Sequence, residues 1–302
     1  MNEHRRVEGV GDGAQFGYED EELAALPTVY RNDLLKDQVV LVTGGGTGIG
    51  KGIAFLAARL GAKVVIASRS EETIAATCVS IGRLTGNKPM HHAMSIREPE
   101  EVDGLLDAVF EKYGTVHHLI NNAGGQFPQD AIDFSRKGWQ SVIDLNLNGT
   151  WWMMQGCAQR WRERGQPGNV ISIVANVERG MPQAAHTCAA RAGVIYLSKT
   201  VATEWAPLNI RVNCIGPGVI ESEGFRVYPA EALERFHDAN PMKKRGDVWD
   251  VAEACAYFMA PSADFITGEL LVIDGGQAQN GAVWPAGRPA WFGGAKADHK
   301  GD

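Results

Sequence analysis

Short, nearly continuous apolar runs recur along the chain at 39–42, 63–67, 90–94, 116–120, 169–174, 210–215 and 270–273. Between them, near 48–60, 71–85, 98–113, 138–164, 185–206 and 247–260, the pattern is helical. Strand and helix in alternation, with strands apolar on both faces, predict an α/β fold: a doubly wound, parallel, seven-stranded sheet with helices on both faces. The pattern places it in one domain over 37–276. The alternation breaks once, at 216–246, where Pro217, Gly218, Pro229 and Pro241 leave room for one short helix around 230–239. A long insertion before the last strand of such a sheet is a candidate substrate loop. Residues 1–36 are polar and acidic and read as an arm laid on the domain; 277–302 are rich in Gly, Pro and Ala and read as a tail that packs by Trp284, Trp291 and Phe292.

The composition narrows the partners. The chain of 302 residues is 44% hydrophobic and 22% charged, as soluble globular proteins are. A formal charge of −7 argues against a nucleic-acid partner, which would require phosphate neutralisation. No apolar run approaches the roughly 20 residues of a membrane span, and the N-terminus lacks the apolar core of a secretory signal, so neither a membrane nor secretion is expected. Five scattered cysteines, without a Cys-x-x-Cys pair, predict no disulfide framework and no metal, and fit a reducing cytoplasm.

The first predicted strand runs into Thr43-Gly44-Gly45-Gly46-Thr47-Gly48-Ile49-Gly50, with a helix expected directly after it. In that context glycines let the backbone turn sharply and approach a pyrophosphate seated on the helix N-terminus. Gly44, Gly46, Thr47, Gly48, Ile49 and Gly50 are therefore candidate cofactor contacts. The second strand ends in Ala67-Ser68-Arg69, without the carboxylate that usually takes the ribose 2′-hydroxyl of NAD. Ser68 and the Arg69 guanidinium suit a 2′-phosphate, so the expected cofactor is NADP(H), with Lys51 as a possible second cation.

With Asn121-Asn122-Ala123-Gly124, Asn146 in Asp144-Leu145-Asn146-Leu147-Asn148-Gly149-Thr150, Arg211-Val212-Asn213, Pro217-Gly218 and Asp274-Gly275-Gly276 following in order, the chain resembles the short-chain dehydrogenase/reductase family over about 38–276. The resemblance implies that Asn121, Asn122, Ala123 and Gly124 line the cofactor groove, completed by Ser95, Ile96, Pro217, Gly218, Ile220 and Ser222. Ser95 stands where many members carry an Asp, and Ser222 where many carry a Thr. It departs from the family at the catalytic motif. Aligned on Arg191-Ala192-Gly193, Thr187 stands at the usual Tyr, Arg191 at the usual Lys and Val174 at the usual Ser. That departure, with His186-Thr187-Cys188-Ala189-Ala190-Arg191-Ala192-Gly193-Val194, resembles the peroxisomal trans-2-enoyl-CoA and 2,4-dienoyl-CoA reductase branch. A Tyr that mitochondrial dienoyl-CoA reductases use falls here at Asn176.

The missing Tyr suits one chemistry better than another. Ketone reduction generates an alkoxide and needs a proton donor in the transition state. Reduction of a double bond conjugated to a thioester places the charge on an enolate, which neutral donors can stabilise. The resemblance and the donor chemistry nominate Asn146, Asn148, Asn176, Thr187 and Arg191 as the catalytic set, Arg191 also holding ribose hydroxyls. Thr187 is expected to matter less than the asparagines, because its hydroxyl is shorter than a phenol. Each also has a plain structural alternative: Asn148 at a helix kink, Asn176 closing a turn, Thr187 as a small filler. Trp151, Trp152 and Met154 read as core or subunit interface, and Lys243-Lys244-Arg245 as a solvated face or a CoA-phosphate contact. The expected function is NADPH-dependent reduction of a 2-enoyl- or 2,4-dienoyl-CoA by a cytoplasmic homotetramer with dihedral symmetry. A dehydrogenase for a hydrophobic, terpenoid-like alcohol or aldehyde and a cofactor-binding pseudoenzyme are the alternatives.

Overall fold

The computed structural model describes residues 16–227 and 230–279. Trp284, Trp291 and Phe292, expected to anchor the tail, lie outside them, as do the first 15 residues of the arm.

The main sheet is parallel and follows the predicted runs: β1 Val39–Thr43, β2 Lys63–Ser68, β3 Met90–Ala93, β4 His118–Asn121, β5 Gly168–Ile173, β6 Ile210–Pro217 and β9 Leu270–Ile273. Its seven strands lie in the order β3-β2-β1-β4-β5-β6-β9. Every residue of β1 and β5 is buried, because helices cover both faces. On one face α2 Gly48–Arg59, α3 Glu71–Thr85 and α9 Val248–Met259 pack through Ile53, Ile74 and Phe258. On the other, α4 Pro99–Tyr113, α6 Gly149–Arg164 and α7 Ala185–Trp205 pack through Leu106, Met153 and Val201. Met154 is fully buried there, and Trp151 stacks on Trp205 at 6.3 Å. The strand order reverses between β1 and β4, so their carboxyl ends open a crevice, the usual ligand site of such sheets.

The single helix expected over 138–164 is divided. It begins as α5 Arg136–Ile143, passes through a π turn at Asp144–Asn148, and continues as α6. Periodicity does not register one wider turn, and such turns concentrate at functional sites. The insertion has a neck of two short paired strands, β7 Ile220–Glu221 and β8 Gly246–Asp247, and carries α8 Ala230–Arg235 between them. The described part of the arm holds α1 Asp20–Ala25, with Leu23 buried to 2% exposure. Arg59 donates to the Leu23 carbonyl, and the Trp249 indole N–H to the Pro27 carbonyl at 2.9 Å.

Candidate active site

The crevice has a backbone wall and a side-chain wall. The backbone wall is the turn from β1 into α2. Gly44 adopts φ +66°, and a Cβ there would meet the Ala123 Cα and Asn122 Nδ2 at 3.0 Å. A Cβ on Gly50 would lie 2.3 Å from the Gly44 carbonyl oxygen. Only glycine therefore lets the turn sit this close to the end of β4. Asn122 fastens the arrangement, its amide donating to the carbonyls of Thr43 and Gly44 at 3.0 and 3.1 Å. Asn122 is thus a brace for the turn. Thr47 makes no side-chain cap, which leaves the first-turn N–H groups of Gly48, Ile49 and Gly50 available to an anion. Ser222 lies against this turn, its Cβ 3.6 Å from where a Gly48 side chain would begin.

At the end of β2, Arg69 is exposed and has no carboxylate partner among the described residues. Lys51 is placed differently from its expected role: it pairs with Asp20 of the arm and faces Ser222 and Val248, and so is committed away from Arg69. Ser95 is turned inward, its hydroxyl accepting from the Arg97 N–H at 3.3 Å and its own N–H donating to Glu101. Ile96 packs beneath Gly149, where a Cβ would come within 2.8 Å of the Ile96 carbonyl. Gly218 is pinned to β9 by its N–H donating to the Ile273 carbonyl at 3.0 Å, and Pro217 and Ile220 are buried beside it.

The side-chain wall brings together Asn146, Thr187 and Arg191 with the Gly124-Gly125 backbone. Asn146, fully buried in the π turn, accepts from the Gly125 N–H at 3.0 Å. Its amide donates to the Gly125 carbonyl at 2.9 Å and to the Thr187 hydroxyl oxygen at 2.9 Å. Both amide protons are used, so Asn146 holds its neighbours and has no proton left for an enolate. Thr187 accepts that bond while its own O–H proton has no acceptor among the described residues. One helical turn on, Arg191 donates through Nη1 to the Ile173 carbonyl at 2.9 Å, and its Nη2 lies against Gly124, 2.1 Å from where a Cβ would begin. No carboxylate pairs with it among the described residues. Burial pushes its guanidinium down to about 10, so it stays cationic at neutral pH.

Two nominated residues are placed elsewhere. Asn176 donates to Asp274 Oδ2 at 2.6 Å, while Asp274 also accepts from the N–H groups of Gly276 and Ala278. It fastens the ends of β5 and β9 and does not join the cluster, because its amide is held by a charged acceptor. Asn148 turns back along the helix and donates to Asp144 Oδ1 at 2.8 Å, the local bonding expected of Asn at a helix irregularity. The basic run is likewise engaged: Lys243 with Asp238 at 3.1 Å and Arg245 with Glu221 at 3.2 Å. His186, buried beside Thr187, packs on Phe127 and Phe134 with ring centroids 4.7 and 4.4 Å away. It thereby seats the loop after β4. Sequence reasoning passed over that cage, whose signal was only two aromatics in a loop. It also passed over Ser172, which faces Asn121 across β4 and β5; both side chains are buried and lack a partner among the described residues.

A glycine turn on a helix N-terminus at the switch point, facing a cation one helical turn from a hydroxyl, defines a dinucleotide-binding oxidoreductase of the doubly wound class. The family described as enoyl-(acyl carrier protein) reductase matches residues 44–278. The chain belongs to this group of the short-chain dehydrogenase/reductase family and is an oxidoreductase enzyme of the enoyl reductase type. The peroxisomal 2,4-dienoyl-CoA reductase [(3E)-enoyl-CoA-producing] of Danio rerio is 33% identical to it over 85% of this chain and 87% of its own length. A probable 2,4-dienoyl-CoA reductase [(2E)-enoyl-CoA-producing] of Bacillus subtilis is 31% identical over 82% of this chain and 98% of its own. Among solved structures, a citronellol catabolism dehydrogenase of Pseudomonas aeruginosa PAO1 matches with a TM-score of 0.75 and 33% identity, covering 83% of this chain and 99% of that one. The family uses a nicotinamide cofactor. The residues here fit one: the glycine turn leaves room where any side chain would collide, and free N–H groups and Arg191 face the same crevice. The non-catalytic alternative is left without support.

Proposed function

We propose that this enzyme reduces a carbon–carbon double bond conjugated to a CoA thioester, with NADPH as hydride donor. The observation that carries the reading is the pair at the usual Tyr and Lys positions. Thr187 offers a hydroxyl proton that is free and polarised by the 2.9 Å bond from Asn146, but no more acidic than the alcohol a ketone would give and so a far weaker acid than the Tyr phenol it replaces. A hydrogen bond from it to an enolate oxygen needs no proton transfer during the hydride step; water then delivers the proton to the enolate carbon and completes the reduction. The role of enolate donor therefore moves to Thr187: both amide protons of Asn146 are committed, and Asn148 and Asn176 each bond a carboxylate outside the cluster. When bound, the nicotinamide ring supplies the hydride. The N-terminal turn of α2 would hold the pyrophosphate, Arg191 the ribose hydroxyls, and Arg69 the 2′-phosphate. The crevice between the Gly124-Gly125 backbone and Thr187 would take the thioester carbonyl. The dienoyl-CoA reductase relatives support the acyl-CoA class of substrate.

The test is NADPH oxidation against crotonyl-CoA, a long-chain 2-enoyl-CoA, a 2,4-dienoyl-CoA and a terpenoid aldehyde. Turnover of one of the thioesters, with the aldehyde left untouched, is expected. Efficient turnover of the aldehyde or of the matching alcohol would instead establish the second reading, a dehydrogenase for hydrophobic alcohols, which the citronellol catabolism relative favours. We also propose a homotetramer: α7 presents Tyr196 outward at 70% exposure, an apolar surface position suited to a second copy. A monomer by light scattering at micromolar concentration would exclude it.

A further inference from the structure

The arm crosses the neck of the 216–246 insertion and touches both of its strands. On the β7 side, the Gly17 N–H bonds the Glu221 carboxylate, which Arg245 also pairs at 3.2 Å. On the β8 side, the Tyr18 hydroxyl donates to Asp247 Oδ2 at 2.6 Å. The other oxygen of Asp247 caps α9 by accepting from the N–H groups of Trp249 and Asp250. Phe16 inserts into the insertion itself, edge-on to Phe225 at 6.0 Å, with Phe225 against Phe236 at 5.2 Å. Two residues after Tyr18, Asp20 pairs with Lys51 in the first turn of α2. Phe16, Tyr18, Gly48, Lys51, Ser222 and Val248 line one small cavity where arm, cofactor-binding turn and loop neck converge.

We propose that Tyr18 and Asp20 are positioning residues: through them the arm clasps the neck of the substrate loop to the turn of α2 that holds the cofactor. The proposal rests on the reading of 216–246 as the substrate loop. Tyr18 acts through Asp247, and Asp20 through Lys51; neither touches the Asn146–Thr187–Arg191 cluster. The clasp is local. Tyr18 and Asp247 are 229 residues apart in sequence, so their bond costs ordering of the arm and returns it only if the loop neck is in place.

The experiment uses the full chain with Tyr18→Phe and Asp20→Asn. The control is Tyr30→Phe, an arm residue whose hydroxyl bonds the Glu253 carbonyl on α9 at 3.3 Å, away from the neck. Trypsin sites at Arg226, Arg235 and Lys243 lie within the insertion, so fragment masses separate loop cleavage from cleavage elsewhere. Cleavage follows the population of the open loop when reclosing is fast, so losing a hydrogen bond to a charged group should speed it about tenfold. Expected for Tyr18→Phe and Asp20→Asn are faster loop cleavage without cofactor, faster NADPH release, and a substrate KM that rises more than kcat falls. Loop cleavage at the parent rate in both variants, or an equal acceleration in Tyr30→Phe, would overturn the clasp. If Tyr18→Phe fails to fold, Asp20→Asn, on a pair that is partly exposed, decides alone. If the parent reduces no thioester, the functional reading fails while the cleavage rates still decide the clasp.

Discussion

The two walls of the crevice follow different rules. The backbone wall, from Thr43 to Gly50 with Asn122 behind it, carries the glycine motif on which the chain resembles its family. Its job is steric: at Gly50 a methyl group would meet a carbonyl at 2.3 Å, and no other side chain relieves that. The side-chain wall, from Asn146 to Arg191, has exchanged hydroxyl for hydroxyl at Thr187 and cation for cation at Arg191, while the hydroxyl at 174 has become Val. Here the job is donation of a hydrogen bond and placement of a positive charge, and more than one residue type can do each. A fold can therefore change its chemistry on one wall while the other continues to hold the same class of cofactor.

That contrast breaks most sharply at Thr187. Thr187→Ala should lower kcat by about 10²–10³, the usual cost of one donor to a developing oxyanion, with NADPH affinity unchanged. A loss below tenfold would move the donor elsewhere and make Thr187 a filler. On the other wall, Arg69→Asp should weaken NADPH by about 1.5–3 kcal/mol and leave NADH favoured, the loss expected of hydrogen bonds to a charged group. Equal affinity of the parent for both cofactors, by fluorescence titration, would refute the 2′-phosphate assignment. Gly50→Ala should lower stability by about 1–3 kcal/mol through overpacking and damage cofactor binding with it. A variant of normal thermal midpoint and normal affinity would show that the turn yields.

An effect confined to acid pH, and absent at the neutral pH of the reaction, lies away from both walls, at the foot of β4. His118 is buried between Gln38 and Asn169, and burial pushes its pKa from 6.5 down to about 3. The unfolded chain binds a proton there below pH 6.5 and the folded chain does not until about 3. Stability conferred by the neutral ring is thus full above pH 6.5 and drains away as pH falls toward 3. His118→Gln should flatten the acid limb of a denaturation-against-pH curve; an unchanged slope would place acid sensitivity elsewhere.

The glycine turn was legible in the sequence because its constraint is local. Gly44, Gly48 and Gly50 act within one strand–turn–helix unit, and spacing alone expresses that. The central strands β1, β4 and β5 were legible for the same reason, since burial on both faces writes a continuous apolar run, while the half-exposed edge strands β3 and β9 followed from the alternation with helices. The asparagines were not. Asn146, Asn148 and Asn176 are chemically equivalent in a sequence, and which of them donates depends on what each amide finds nearby. The π turn faces Asn146 to Gly125 and Thr187 and closes Asn148 onto Asp144 between its own ends, and the β5–β9 corner gives Asn176 to Asp274. Lys51 shows the same limit: its charge was readable, but not that Asp20 would claim it.

The sequence by itself therefore determined the doubly wound sheet, the place of the cofactor turn, and the replacement of the usual Tyr and Lys. The first two are carried by periodicity or by residues close together in the chain, and the third by the resemblance to the family's motif. Only the tertiary structure decided which polar groups are spent on the protein and which remain free. A hydrogen bond is made with whichever partner lies within about 3 Å, and folding sets that distance between residues far apart in sequence.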